Sequence, residues 1–204
     1  MTVDDQQGGL RERTKARRRL EIQKAGMRLF AERGYQNTTV VEIAEAAEVA
    51  PRTVSGYFVT KVEIATAFAD DIASSLAERL VAEPRGELPA VLDGWLRHVT
   101  DTVDVEAARL AKAMYEANPG LRSLSSAHVA EAADAGAAAV ARWTGLPATH
   151  PMVAITLAAI GAVLAEYLNS VFEKPSADGL HDTVVAYVRA LLDGAMSATA
   201  SSAR

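Results

Sequence analysis

The sequence predicts an all-α fold. Half of its 204 residues are apolar while only 5% are aromatic, long stretches lack Pro, and apolar residues recur at three- and four-residue spacing through most of the chain. At this length the chain holds one domain, or a small one joined to a larger one, with enough apolar residues to form a core.

The first helix is expected from about Lys15 to Arg33, because Ile22, Ala25, Gly26, Leu29 and Phe30 share one face and Gly34 follows as a stop. In NTTVVEIAEAAEVA, Thr39 and Glu42 form a capping box that opens a two-turn helix whose buried side is Val40, Ile43, Ala44 and Ala47. Pro51 then suits the first position of a third helix, where its missing N–H costs nothing. That helix, within VAPRTVSGYF, is locally weak: Ala50 stands where a capping side chain is expected, and Gly56 costs up to about 1 kcal/mol in a helix. A second box, Thr60 with Glu63, opens a fourth helix that carries Ile64, Phe68, Ile72, Leu76 and Leu80 until Pro84 and Gly86.

Further on, Leu88, Val91, Leu92, Trp95, Leu96, Val99 and Val103 line one face of an amphipathic helix. A helix from about Val105 breaks at Asn118-Pro119-Gly120, and an Ala-rich one from about Leu121 ends at Gly145-Leu146-Pro147. Two more, about 151–172 and 180–198, are separated by EKPSADG, and the terminal ATASSAR is expected to fray. The count is nine helices, with no strand and no internal repeat.

Several function classes are disfavoured. With no Cys there are no disulfides, thiolate metal sites or thiol nucleophiles, which fits a reducing compartment. MTVDDQQGGLRERTKARRRL has no apolar segment and is not a secretory signal. The most lipid-like run, Met152 to Ala165, stops at Glu166, short of the roughly 20 residues a span needs, so a buried or interfacial helix is expected and no membrane. His98, His128, His150 and His181 lie on separate segments without HExxH spacing, and neither a Gly-rich phosphate loop nor a GxSxG elbow is present. Glu106 with Glu116, or Asp101 with Asp104, read as solvated helix faces. No enzyme, metal or cofactor is expected, and the expected location is cytoplasmic.

The charge is uneven. Residues 1–62 carry eleven Lys and Arg against eight Asp and Glu, and residues 63–204 ten against eighteen, so a net +3 and a net −8 give the overall −5. Arg11, Arg13, Lys15, Arg17, Arg18 and Arg19 face one acid, Glu12, a run that alone reads as a solvated tail. Two short helices joined by a tight turn, behind a longer helix and this basic segment, match a helix-turn-helix DNA reader, although any bundle contains helix pairs of this size. The residues of the third helix favour the reader. Arg52 and Thr53 follow Pro51 in its first turn, where Arg pairs with guanine or holds a phosphate. Val54 and Phe58 can face the first helix, leaving Ser55 and Gly56 outward. Tyr57 and Lys61 add a hydroxyl and an ammonium near backbone phosphates, and Thr39 a hydroxyl and N–H.

AGMRLFAERGYQNTTVVEIAEAAEVAPRTVSGYFVTKVEI also resembles the DNA-binding region of the TetR family of bacterial transcriptional regulators. The resemblance lies in Leu29-Phe30, Gly34-Tyr35, Thr38-Thr39-Val40, Ile43-Ala44, Val49, Thr53, Tyr57-Phe58, and Lys61 with Glu63, over about a quarter of the chain. It implies a homodimer with an N-terminal reader, a divergent helical domain that binds a small molecule, and dimerisation through the last two helices. By the same resemblance Thr39, Tyr57 and Lys61 contact phosphates and the start of the third helix reads bases. Ser55 departs from a frequent aromatic and Ala50 from a frequent Ser.

The expected organisation is a flexible basic arm at 1–14, a reader at 15–62, an effector-binding and dimerisation domain at 63–199, and a disordered tail at 200–204. Candidate DNA-binding residues are Arg17, Arg18, Thr38, Thr39, Pro51, Arg52, Thr53, Ser55, Gly56, Tyr57 and Lys61. Trp95, Met114, Tyr115 and Trp143 are candidate pocket residues, though ordinary core is the favoured reading of each. Apolar dominance favours a hydrophobic or amphipathic effector. Small residues such as Ala158, Ala159, Gly161 and Ala162 permit the close helix approach of a dimer seam. The expected function is a ligand-responsive repressor bound to a pseudo-palindromic operator; the rival is a ligand-binding or adaptor protein of the same fold without sequence-specific DNA binding.

Overall fold

In a computed structural model the described residues are 3–83, 87–124, 127–173 and 179–202. Among them are nine α-helices: α1 Val3–Arg33, α2 Val40–Ala46, α3 Pro51–Tyr57, α4 Lys61–Ala82, α5 Leu88–Thr102, α6 Val105–Ala117, α7 Ala127–Thr144, α8 Pro151–Glu173 and α9 Leu180–Ser202, with a 3-10 turn at Pro119–Ser123. The all-α expectation holds. The expected stops at Pro84 and Gly86, and residues 174–178 of EKPSADG, lie outside the described residues.

Three boundaries differ from expectation. α1 begins at Val3, so residues 3–14 of the expected flexible arm are helical; Arg13 Nε donates to the Gly9 carbonyl and Thr14 Oγ1 to that of Leu10, contacts one turn back. α9 continues to Ser202, into the expected disordered tail. Leu121 belongs to the 3-10 turn instead of opening α7: Pro119 starts the turn and the Leu121 side chain is buried in the core around α1.

The chain divides into two compact units, residues 1–68 with 104–124, and residues 69–103 with 125–204. The first unit is built on α1, α2, α3, the start of α4, α6 and the 3-10 turn. Ile22, Met27, Phe30, Ile43, Val54, Ile64 and Met114 are its most enclosed apolar side chains. Gly26 brings α1 against α4, since a Cβ there would lie 2.5 Å from Ile64 Cγ2. α6 is tied to α1 by charge: Lys24 Nζ lies 2.7 Å from Glu106 and 2.9 Å from Asp104, and Arg28 lies 3.1 Å from Glu106. Burial opposes the Lys24 charge, but the two carboxylates outweigh it and raise its pKa.

The second unit packs α5, α7, α8 and α9. α5 buries Leu88, Val91, Leu92, Trp95, Leu96 and Val99, the stripe its periodicity marks. α8 buries Val153, Thr156, Ile160, Leu164, Tyr167 and Phe172. α8 is also long and apolar enough to cross a membrane by length and composition, and a third of its apolar window is buried. A polar chain links three helices here. His181 Nε2 is 2.6 Å from Asp93 Oδ1 and its Nδ1 is 2.9 Å from the Tyr167 hydroxyl.

Candidate nucleic-acid interface

α2 starts as its sequence dictates. The Glu42 amide donates to Thr39 Oγ1 at 3.2 Å, and the Thr39 amide donates to Glu42 Oε2 at 2.8 Å, closing the capping box. The Thr39 hydroxyl donates to the same carboxylate oxygen at 2.8 Å. Thr39 is exposed, but both donors offered to a phosphate are already held by Glu42. The hydrogen bond from the Thr39 amide is the main reason the Glu42 carboxyl sits below its ordinary range.

α2 and α3 are joined through Glu48, whose φ of +54° is the one positive value among the described non-Gly residues. The Glu48 amide donates to the Glu45 carbonyl and that of Val49 to the Ala44 carbonyl, which fixes the tight turn in a conformation that costs an ordinary side chain about 1–2 kcal/mol.

α3 follows from Ala50, which makes no side-chain cap, with Pro51 in the first turn. The Thr53 amide donates to the Ala50 carbonyl at 2.8 Å, so it is not left open for a phosphate as the missing cap suggests. Val54 is fully enclosed and Phe58 nearly so, with the Arg19 guanidinium 5.2 Å from the Phe58 ring centroid. One residue of the basic run therefore braces the reader from inside, an assignment the sequence did not suggest. Pro51, Arg52, Ser55 and Gly56 are exposed, and a Cβ on Gly56 would meet nothing within 4 Å. α3 thus presents a cation, a small hydroxyl and bare backbone on its outer side. Thr53 and Tyr57 are half-buried.

Lys61 has a second role besides the expected one. Its ammonium donates to the Tyr35 carbonyl at 2.8 Å and the Thr38 carbonyl at 3.0 Å, and lies 4.2 Å from the Tyr35 ring centroid. It therefore closes the α1–α2 corner. Thr38 requires a correction: it is 1% exposed and its hydroxyl donates to the Gly34 carbonyl at 3.0 Å, so its side chain serves this corner and offers nothing to DNA. Asn118, legible in sequence only as a helix break, accepts from the Tyr35 amide at 2.7 Å and donates to the Phe30 carbonyl at 2.8 Å. Arg17 and Arg18 are exposed and line a groove of about 680 Å³ that also touches Ala46, Ala47 and Glu48 of the α2–α3 turn.

The four candidate pocket residues do not form one site. Trp95 and Trp143 lie in the second unit, whereas Met114 is fully enclosed in the core around α1 and Tyr115 packs against that core, its hydroxyl donating to the Ala65 carbonyl at 3.4 Å. The reason is the apolar stripe of α6, Ala107, Ala111 and Met114, which packs in the core around α1. Trp95 donates its indole N–H to Ser75 Oγ at 2.9 Å; the buried Trp143 Nε1 has no partner among the described residues.

Residues 22–68 match the family model for bacterial regulatory proteins, tetR family. The HTH-type transcriptional regulator TcmR of Streptomyces glaucescens is 36% identical over 126 residues, covering 55% of this chain and 54% of the relative. The match thus spans about half the length of that curated relative. A crystal structure from Mesorhizobium loti, described as a TetR-family transcriptional regulator, superposes with a TM-score of 0.51 at 18% identity, over 90% of this chain and 96% of the other. Another so described, from a Shewanella species, gives 0.52 at 16% identity, over 86% and 95%. At these identities the two structures speak for the fold alone.

Proposed function

We propose that the chain, whose residues 22–68 match the tetR family model, is a TetR-family regulator and a ligand-responsive repressor which binds a pseudo-palindromic operator as a homodimer. The observation that carries this is the two-sided chemistry of α3. Val54 and Phe58 hold it on the core while Arg52, Ser55 and Gly56 remain exposed. An Arg in the first turn of an exposed recognition helix can pair bidentately with guanine in the major groove, and a residue without a side chain lets backbone approach the base edges. Arg17, Arg18, Tyr57 and Lys61 are assigned to the phosphate backbone, which sets orientation and affinity without reading sequence; Thr39, whose two donors Glu42 holds, is left out of that set. On this reading the protein is a regulator, not an enzyme, and acts in the cytoplasm with its DNA.

Dimerisation is assigned to α8 and α9. Ile155, Tyr187 and Met196 are exposed, and the outer side of α8 also carries Ala158, Gly161, Ala162 and Ala165, small enough for close helix packing. Two copies of α3 would then enter successive major grooves about 34–36 Å apart. A hydrophobic or amphipathic effector in the second unit releases DNA by favouring a state in which that spacing is lost, and only a difference in its affinity for the two states can drive this.

Fluorescence anisotropy with DNA flanking the coding gene, against random DNA of equal length over a salt series, tests the proposal. Sequence-selective binding that weakens steeply with salt is expected. Equal binding to both DNAs, or none, would favour the adaptor reading.

A further inference from the structure

We infer that the cleft between α4 and α5 is a binding site for small planar carboxylates, an inference that deepens the effector reading above and rests on it. Ser75, Glu78, Arg79 and Ala82 recur along one face of α4, and Trp95 and His98 are three apart on α5. Together they line about 280 Å³, close to nine times the roughly 30 Å³ that a water occupies in the liquid and at the small end of ligand sites. A cleft of that size suits a one- or two-ring molecule better than a long chain.

Its two principal groups are held in place by neighbouring side chains. The Trp95 indole is fixed by its hydrogen bond to Ser75 Oγ, and the Ser75 hydroxyl is fixed in turn by the Ile72 carbonyl at 2.8 Å. Arg79 is held at Nε by Glu83 at 2.8 Å, and its Nη2 lies where a side chain on Gly94 would have to be: a Cβ there would sit 2.9 Å away. Gly94 thus lets the guanidinium rest on the α5 backbone next to Trp95. A site pre-arranged on two helices binds without first ordering its own groups.

The chemistry of the lining selects the ligand class. A guanidinium fork matches a planar carboxylate with two parallel hydrogen bonds, a geometry that a neutral or cationic head group cannot reproduce. Ala82, with the small part of Trp95 that reaches the cleft, gives apolar surface to the ring. Glu78 is the acid among the lining residues and Arg79 is as exposed as it is; Glu83 occupies the guanidinium at Nε, so the ligand carboxylate is assigned to the Nη edge.

Calorimetric titration of the full chain with 2-naphthoate and with 2-naphthylmethylamine, which share a ring body and differ in charge, tests this. The carboxylate should bind at least about tenfold more tightly than the amine. Arg79→Gln should erase that preference, Arg79→Lys should recover part of it, and Gly94→Ala, which displaces the guanidinium, should reduce it. A far-UV spectrum identifies any variant that fails to fold, and the carboxylate–amine comparison on the unmodified chain needs no variant. Equal affinities, a preference that survives Arg79→Gln, or no binding at millimolar carboxylate would overturn the inference. Adding each compound to the DNA complex separates the two readings. Release by a different class of compound, with no carboxylate binding, leaves the effector reading standing and removes this site. Binding through Arg79 without DNA release keeps the site and removes the effector reading.

Discussion

Replacing Lys61 by Ala probes fold and function together. The substitution removes charged hydrogen bonds to the Tyr35 and Thr38 carbonyls and the contact with the Tyr35 ring. A net charged hydrogen bond contributes about 1.5–3 kcal/mol, and a cation over an exposed ring about 0.5–1 kcal/mol. Because Lys61 is only half-buried, water can reach the two carbonyls once the side chain is gone, so the sum overstates the loss. A cost of about 2 kcal/mol is expected, which lowers the midpoint of thermal unfolding by roughly 4–8 °C for a chain of this length. In the proposed complex the same ammonium also neutralises one phosphate per protomer. The slope of log affinity against log salt should therefore fall by about 0.9 for each protomer, equally on operator and random DNA. Circular-dichroism melting measures the first effect, and anisotropy well below the melting temperature measures the second. An unchanged midpoint would refute the corner role; an unchanged salt slope, or a loss confined to the operator, would refute the phosphate role.

Arg52→Ala should relax preference at particular base positions at a cost of roughly 1–3 kcal/mol, read from selected binding sequences; an unaltered motif assigns Arg52 to the backbone instead. Glu48→Gly should stabilise the chain by about 1 kcal/mol in denaturant melts, because glycine adopts the positive φ at Glu48 without strain; a loss of stability would show that the side chain contributes more than the turn costs it. The pH profile has two limbs. Asp93, held low by His181 against the effect of burial, and Asp104, where burial is outweighed by Lys24 and the Ala107 amide, have folded pKa values below those of the unfolded chain. Their contribution is complete above the ordinary Asp range and is lost as pH falls through the lowered values. Lys24 has a raised pKa, so its contribution is complete below the ordinary Lys value and is lost as pH rises through the folded one. His181→Phe should lower stability above the ordinary Asp range and shrink the acid limb of a stability–pH curve, because Asp93 then titrates nearer its unfolded value; a limb of unchanged amplitude would show that Asp93 does not depend on His181.

What was legible in the sequence was local. The Thr39–Glu42 box, Pro51 and the Gly34 stop are set by neighbours within four residues, and each appears where the sequence places it. The stripe on α5 was legible because one period runs through fifteen residues. The start of α1 was not legible because residues 3–14 carry no apolar period. Long-range partners were not legible: Lys61 reaches back 26 and 23 residues to its carbonyls, and Asn118 reaches 83 residues to the Tyr35 amide. That Met114 and Tyr115 belong to the core around α1 was not legible for the same reason, since periodicity marks an apolar face but not the helix it meets. The outer face of α3 emerged by subtraction, once Val54 and Phe58 could be assigned to the core.

Selection of bound sequences from random DNA tests the central claim most directly. The account predicts two inverted half-sites with centres about 10–10.5 base pairs apart, or a multiple of that, because two symmetry-related copies of α3 must enter major grooves on one face of the duplex. Enrichment of a single asymmetric site, or no enrichment over random sequence, would contradict it.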